Sequence, residues 1–314
     1  MHNHVVVHPL DPDDGSVIAA MRAAVAPQKG KVRGREGRSP YDGLMESVRR
    51  YDNVTFKAEA LNGVPGIWVQ PANARADEAI IHFHGGWFSL GSAKAYRHLV
   101  SQIAARAGVN TFIPDYRLAP ENPFPAAVDD AMTVYRALDS RDIRRVAITG
   151  DSAGGNLALV QSVRIANGNA HTKATHVGTV VLSPVTDLLL ASDSYETRAE
   201  TDPLFTRSQV VELVNAYLGK TDPKNPLASP LYATFDGLAP LRVHVGDAEI
   251  LLDDSRRLVD RTIAAGVDAA LDIWMGMPHG FAGNVGSLKA AAQALDIIGK
   301  FLAEKLGAAA ALNA

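Results

Sequence analysis

The chain has 314 residues, is 47% hydrophobic and carries a formal net charge of −3. That allows one large α/β domain with a substantial core and argues against nucleic acid or an anionic membrane as the main partner, since both need a basic face. There is no cysteine, which excludes disulfides, a thiol nucleophile and cysteine-ligated metal.

The N-terminal "MHNHVVVHPLDPDDG" lacks the basic-then-apolar order of a signal peptide, and no apolar run approaches the ~20 residues of a membrane span. A cytoplasmic protein is expected. The first residues read as a disordered terminus, with the two early histidines part of it rather than a metal tract. Residues 1–50 then carry helical patterns and a basic loop, "KGKVRGREGR", before any strand. "NVTFKAEAL" and "GVPGIWVQP" read as paired strands turning at Asn62-Gly63. "EAIIHFHG" is a buried strand, and Tyr96 to Ala107 has helical spacing stopped by Gly108. "VNTFIPDYRL" is the next strand, followed by a proline-rich entry to a helix in "PENPFPAAVDDAMTVYRAL". "RRVAITGDSAGG" runs from a strand into a glycine-rich turn and a helix over Leu157 to Ile165. "HVGTVVLSPVTDL", "PLRVHVGDAE" and "AALDIWMGMPHG" are further strands, and a last helix spans Leu288 to Leu306, before a tail expected to fray. Alternating strands and helices predict a mostly parallel sheet entered through an antiparallel pair. Residues 188–228 break the rhythm with a polar, helix-forming excursion. An insertion of that length is usually functional, and with residues 1–50 it is expected to form a cap over a core made of 51–187 and 229–314.

Gly150-Asp151-Ser152-Ala153-Gly154 is a G-x-S-x-G pentapeptide between an apolar strand and a helix. In that context the serine stands on a sharp, strained turn with its hydroxyl clear of the sheet, and the helix N-terminus behind it favours developing negative charge. Ser152 is therefore the candidate nucleophile. A phosphate loop would need a G-K-[ST] ending, which is absent.

A serine hydroxyl needs a base. Of ten histidines only His279, in "MGMPHGF", combines a strand-end position with the chain order Ser, acid, His. The acid should lie in "GDAEILLDDS", where it would hold the imidazole tautomer. Asp253 and Asp254 read as a helix cap and first-turn acid. That leaves Asp247 and Glu249, and spacing alone does not separate them.

"HGGW", "PDYRLAPENPFPAAVDD", "GDSAGGN" and "MPHGF" together resemble the hormone-sensitive lipase family of α/β-hydrolases, in its bacterial carboxylesterase branch, over about Tyr51 to Leu306. The resemblance implies the α/β-hydrolase fold, with an eight-stranded, mostly parallel sheet, helices on both faces and a helical cap. It implies Ser152 as nucleophile and His279 as base. It lays the family's Asp-Pro-Leu-x-Asp over Glu249 to Asp253, placing the acid at Glu249. It implies an oxyanion hole of the backbone N–H groups of Gly86, Trp87 and Ala153, with Gly85 shaping the loop, His84 anchoring it, and Asp151 and Asn156 bracing the elbow. Tyr116, Arg117 and Glu121 match a scaffold segment. A homodimer through the last strand and helix is also implied.

The expected activity is hydrolysis of small carboxylic esters through an acyl-serine, with no metal or cofactor. Lactone or amide hydrolysis by the same triad is the alternative, and a non-catalytic ligand-binding homologue a remote one. Trp87, Phe88, Leu204 and Phe205 are expected to line an apolar pocket. A tryptophan where the family has a third glycine keeps the backbone N–H and narrows the site, which points to short-chain or compact acyl groups.

Overall fold

The computed structural model describes residues 4–72 and 74–307. Among these, nine strands form one sheet: β1 (Val5–His8), β2 (Val54–Leu61), β3 (Val64–Pro71), β4 (Arg75–Phe83), β5 (Val109–Pro114), β6 (Arg145–Asp151), β7 (Thr175–Leu182), β8 (Leu241–Gly246) and β9 (Ala269–Trp274). Their order is β1-β9-β8-β7-β6-β4-β5-β3-β2. The β2–β3 and β3–β5 pairs are antiparallel and the rest parallel, so the antiparallel entry is as read. The helices are α1 (Pro12–Val25), α2 (Arg38–Glu46), α3 (Ala93–Ala107), α4 (Ala126–Ala137), α5 (Ala153–Ala166), α6 (Ser194–Thr197), α7 (Arg207–Leu218), α8 (Leu252–Ala264) and α9 (Lys289–Leu306). None is long and apolar enough to cross a membrane.

Neighbouring residues of the central strands enter opposite cores, as the two-residue period of a strand requires. Ile81, Ile148 and Val181 pack with α4, α5 and α8, while Ile80, Ala147 and Val180 pack with α3 and α9. Both faces are covered, which is why these strands read as continuous apolar runs.

Two expectations need correction. The sheet has a ninth strand, and it comes from the terminus expected to be disordered. Val5 to His8 lie parallel to Leu271 to Trp274. The His8 ring stacks on Trp274 at 3.8 Å, its Nε2 lies 2.7 Å from Asp272 Oδ1, and His4 Nδ1 lies 2.9 Å from the Ala269 carbonyl. His4 and His8 are thus strand anchors, while His2 lies outside the described residues. Because β1 occupies the outer edge of β9, the last strand is not the open edge that a dimer through it would use. The expected fraying beyond Gly307 lies outside the described residues.

Two of the helix starts are earlier than the apolar spacing suggests. Ser92 accepts from Ala95 N at 3.1 Å and starts α3. α5 begins directly after Ser152. At α9 the missing local cap is supplied by buried Asp14 of α1, which accepts from Lys289 N at 2.8 Å and Ala290 N at 2.9 Å.

The two segments outside the α/β rhythm touch each other. Gly30 N donates to Leu204 O at 2.9 Å, Gln209 Nε2 to Val32 O at 2.6 Å and Lys29 Nζ to Ala199 O at 2.6 Å. The N-terminal segment also reaches the loop after β4. Arg38 donates to Ser89 O at 2.9 Å and to both carboxylate oxygens of Glu121 at 2.8 and 2.7 Å, holding Glu121 down at about 2. The "YRLAPE" segment thereby serves as scaffold beneath that loop.

Candidate active site

Ser152 sits between β6 and α5 with φ +54° and ψ −120°, a conformation that costs a residue with a Cβ roughly 1–3 kcal/mol. The turn is over-determined by its neighbours. Ser152 N donates to Leu182 O at 2.8 Å, and Ser152 O accepts from Val185 N and Asn156 N, both at 3.1 Å. Asn156 Nδ2 donates to Val185 O and Ala228 O at 2.9 and 2.8 Å. Gly154 is required by contact, since a Cβ there would run into the Phe83 carbonyl oxygen. The first-turn N–H groups of α5 have no intrahelical acceptor and face the side from which negative charge is best held.

The two carboxylates left open by spacing point in different directions. Glu249 is fully buried. Its Oε2 lies 2.6 Å from His279 Nδ1, and its Oε1 accepts from Ser183 Oγ at 2.6 Å and Gly246 N at 2.8 Å. Asp247 turns the other way and accepts from Gly276 N. Asp253 and Asp254 both lie in the first turn of α8, where Leu251 rather than Asp253 takes the cap position, and Asp254 is also buried. It accepts from Ser192 Oγ at 2.6 Å and from the N–H groups of Thr186 and Asp187 at 2.8 and 3.1 Å, and burial pushes it up to about 6. Asp253 stays outside, 3.0 Å from Arg256. Ser183 follows Leu182, whose carbonyl holds Ser152 N, so one stretch of chain at the end of β7 touches both the elbow and Glu249. Among the described residues no hydrogen bond joins Ser152 Oγ to His279; such bonds are often long before substrate is bound. Burial works against the His279 imidazolium, but the charge and hydrogen bond of Glu249 outweigh it, with Asp202 and Asp151 adding, and raise the imidazole above its ordinary value.

The loop after β4 is a left-handed run: Gly86, Trp87 and Phe88 have φ of +111°, +50° and +60°. Gly86 cannot carry a side chain, because a Cβ would strike the backbone of Leu90. Among the described residues the N–H groups of Gly86, Trp87 and Ala153 donate no hydrogen bond. Gly85 N instead donates to Asp151 Oδ1 at 3.1 Å, and Asp151 Oδ2 accepts from Tyr96 at 3.0 Å. His84 lies with Nδ1 2.8 Å from Gly85 O, stacks on Tyr116 at 4.2 Å, and burial lowers its imidazole below the ordinary value. Tyr116 donates back to His84 O at 2.7 Å.

The four expected pocket residues divide. Trp87, 2% exposed, meets the Phe205 ring edge-on at 5.6 Å, and Phe205 meets His279 edge-on at 5.1 Å. Leu204, on the same turn, is half-buried and takes Gly30 N on its carbonyl. Phe88 is a correction. It is fully buried and stacked on Tyr217 of α7 at 3.7 Å, so it packs the insertion onto the loop rather than facing a substrate. Two shallow concavities, about 340 and 180 Å³, are lined around β2 and β3 by residues such as Thr55, Gln70 and Arg141 and include none of these side chains. Reasoning from sequence missed Ser183 and Asp202. Ser183-Pro184 at a strand end was a weak signal for the first.

Residues 80–283 match a family model described as alpha/beta hydrolase fold. The chain is 35% identical to an acetyl-hydrolase from Streptomyces hygroscopicus over 76% of this chain and 80% of that one. It is 32% identical to a putative acetyl-hydrolase from Mycobacterium tuberculosis over 90% and 91%. A crystal structure of an esterase from the bacterial hormone-sensitive lipase family superposes with a TM-score of 0.84 at 36% identity, covering 95% of this chain and all of the other.

Proposed function

This chain belongs to the hormone-sensitive lipase family of α/β-hydrolases and is a carboxylic ester hydrolase of the serine type, and from that premise we propose that it cleaves short or compact esters through Ser152, His279 and Glu249. The observation that carries the reading is the hydrogen-bond chain from Ser183 and Gly246 through Glu249 to His279, laid beside a strained serine elbow. Glu249 holds the Nδ1–H of His279 and leaves Nε2 as the base. Ser152 Oγ gives its proton to Nε2 as it bonds to the ester carbonyl carbon. The carbonyl oxygen, now anionic, is taken by the N–H groups of Gly86, Trp87 and Ala153, each such donor being worth about 3 kcal/mol. Collapse breaks the C–O bond, the imidazolium protonates the departing alcohol, and water repeats the cycle on the acyl-serine.

Acyl size follows from the wall. The Trp87 and Phe205 rings close the space beside His279, and two similar proteins are named acetyl-hydrolases. A p-nitrophenyl ester series should peak at short chains, with lactones and amides in the same panel turned over more slowly. An optimum at ten carbons or longer would exclude a narrow acyl site.

A further inference from the structure

Resting on that triad, we propose that Asp202, in the insertion, is a positioning residue for the general base: it ties the turn bearing Phe205 to the loop bearing Glu249 and keeps a second carboxylate beside His279. Asp202 is fully buried. Its Oδ1 accepts from Leu204 N at 2.8 Å and Phe205 N at 3.0 Å, and its Oδ2 accepts from Ile250 N at 3.0 Å. The first two bonds close a local turn. The third crosses 48 positions of sequence to the residue after Glu249. All three partners are N–H donors, an arrangement that fits the carboxylate rather than the acid. Burial nonetheless raises Asp202 above the ordinary carboxylate value, with these N–H groups and the His279 imidazole acting against it.

The geometry has a direct consequence at the base. The turn that Asp202 closes carries the Phe205 ring, which lies against the His279 ring at 5.1 Å and the Trp87 ring at 5.6 Å. The charged groups facing His279 are Glu249 from the loop after β8, Asp202 from the insertion and Asp151 from the elbow. A buried anion there favours the imidazolium that forms as Ser152 is deprotonated, and it also raises the pH at which the free base becomes available. The insertion does not depend on this contact to stay in place. Ser194 Oγ donates to Ile250 O at 2.6 Å, and Arg198 Nε to Asp247 O at 2.8 Å.

The test is Asp202→Asn and Asp202→Ala, with Phe205→Leu beside them, reading kcat, KM, Tm and the pH profile of kcat/KM on p-nitrophenyl acetate. Asparagine keeps an acceptor for Leu204 and Phe205 but loses the charge. It should lower kcat roughly tenfold with little change in KM, and move the acidic limb down by roughly half a unit or more. Alanine should cost roughly 100-fold. Phe205→Leu should lower kcat without moving the limb. An unmoved limb with kcat within twofold of wild type in Asp202→Asn overturns the proposal. So does a drop in Tm with wild-type turnover per folded molecule, which would make Asp202 a structural tie only. Glu249→Gln in the same series separates the two readings. If that variant is active the triad fails, whereas if it is inactive and Asp202→Asn behaves as wild type, only the present inference fails.

Discussion

Replacing Glu249 by glutamine changes one atom and should nearly abolish turnover. The glutamine carbonyl would keep the two bonds now made by Oε1, to Ser183 Oγ and Gly246 N. Its NH₂ would then face His279 Nδ1, where the carboxylate now stands at 2.6 Å. Two N–H groups cannot share that contact, so the imidazole moves its proton to Nε2, the nitrogen that must accept from Ser152. Flipping the amide restores the tautomer only at a cost. Ser183 can rotate its hydroxyl to accept, but the Gly246 N–H cannot, a buried unpaired donor costs about 1–3 kcal/mol, and in either orientation the neutral amide no longer stabilises the imidazolium. The tautomer fault in a serine triad is worth about 10⁴ in kcat, or ~5.5 kcal/mol of barrier. Asp247→Asn is the control. Its side chain serves Gly276 N, and an amide oxygen can do the same, so kcat should stay within about threefold. The assay is steady-state hydrolysis of p-nitrophenyl acetate, with Tm showing that each variant is folded. Glu249→Gln within tenfold of wild type, or Asp247→Asn down by 10³, would refute the assignment.

Trp87→Gly should relieve a left-handed residue, gaining about 1 kcal/mol, and lose a buried ring worth about 3–5. A Tm lower by several degrees is expected, with acyl preference extended to longer chains and acetate hydrolysis retained; loss of all activity would mean that the ring holds the loop itself. The base acts when neutral, and His279 is raised above 6.5, so the acidic limb of kcat/KM should fall above that value. A limb below pH 6 would show that the Glu249 contact does not govern His279.

The parts of the fold that sequence revealed are those set by local chemistry. Glycines fix the elbow where β6 and α5 meet too closely for a Cβ, and apolar runs mark strands buried on both faces. β1 was not legible. Three valines between histidines and a proline show no period, and the segment is a strand only because β9, more than 250 residues away, offers it an edge. The choice between Asp247 and Glu249 was equally hidden, since both lie on one short loop and only the path of the following chain decides which faces His279. Asp202-Pro203 reads as an ordinary turn, and its bond to Ile250 is wholly tertiary. Adjacent Trp87 and Phe88 looked alike in sequence, yet they diverge, one toward His279 by way of Phe205 and the other into the packing of α7.

The most direct measurement is covalent labelling of the wild-type protein with a fluorophosphonate probe, followed by peptide mapping. A single adduct on Ser152, formed in parallel with loss of esterase activity and absent in Ser152→Ala, is the expected result. Loss of activity with the adduct on another residue, or undiminished hydrolysis by Ser152→Ala, would contradict the acyl-serine mechanism.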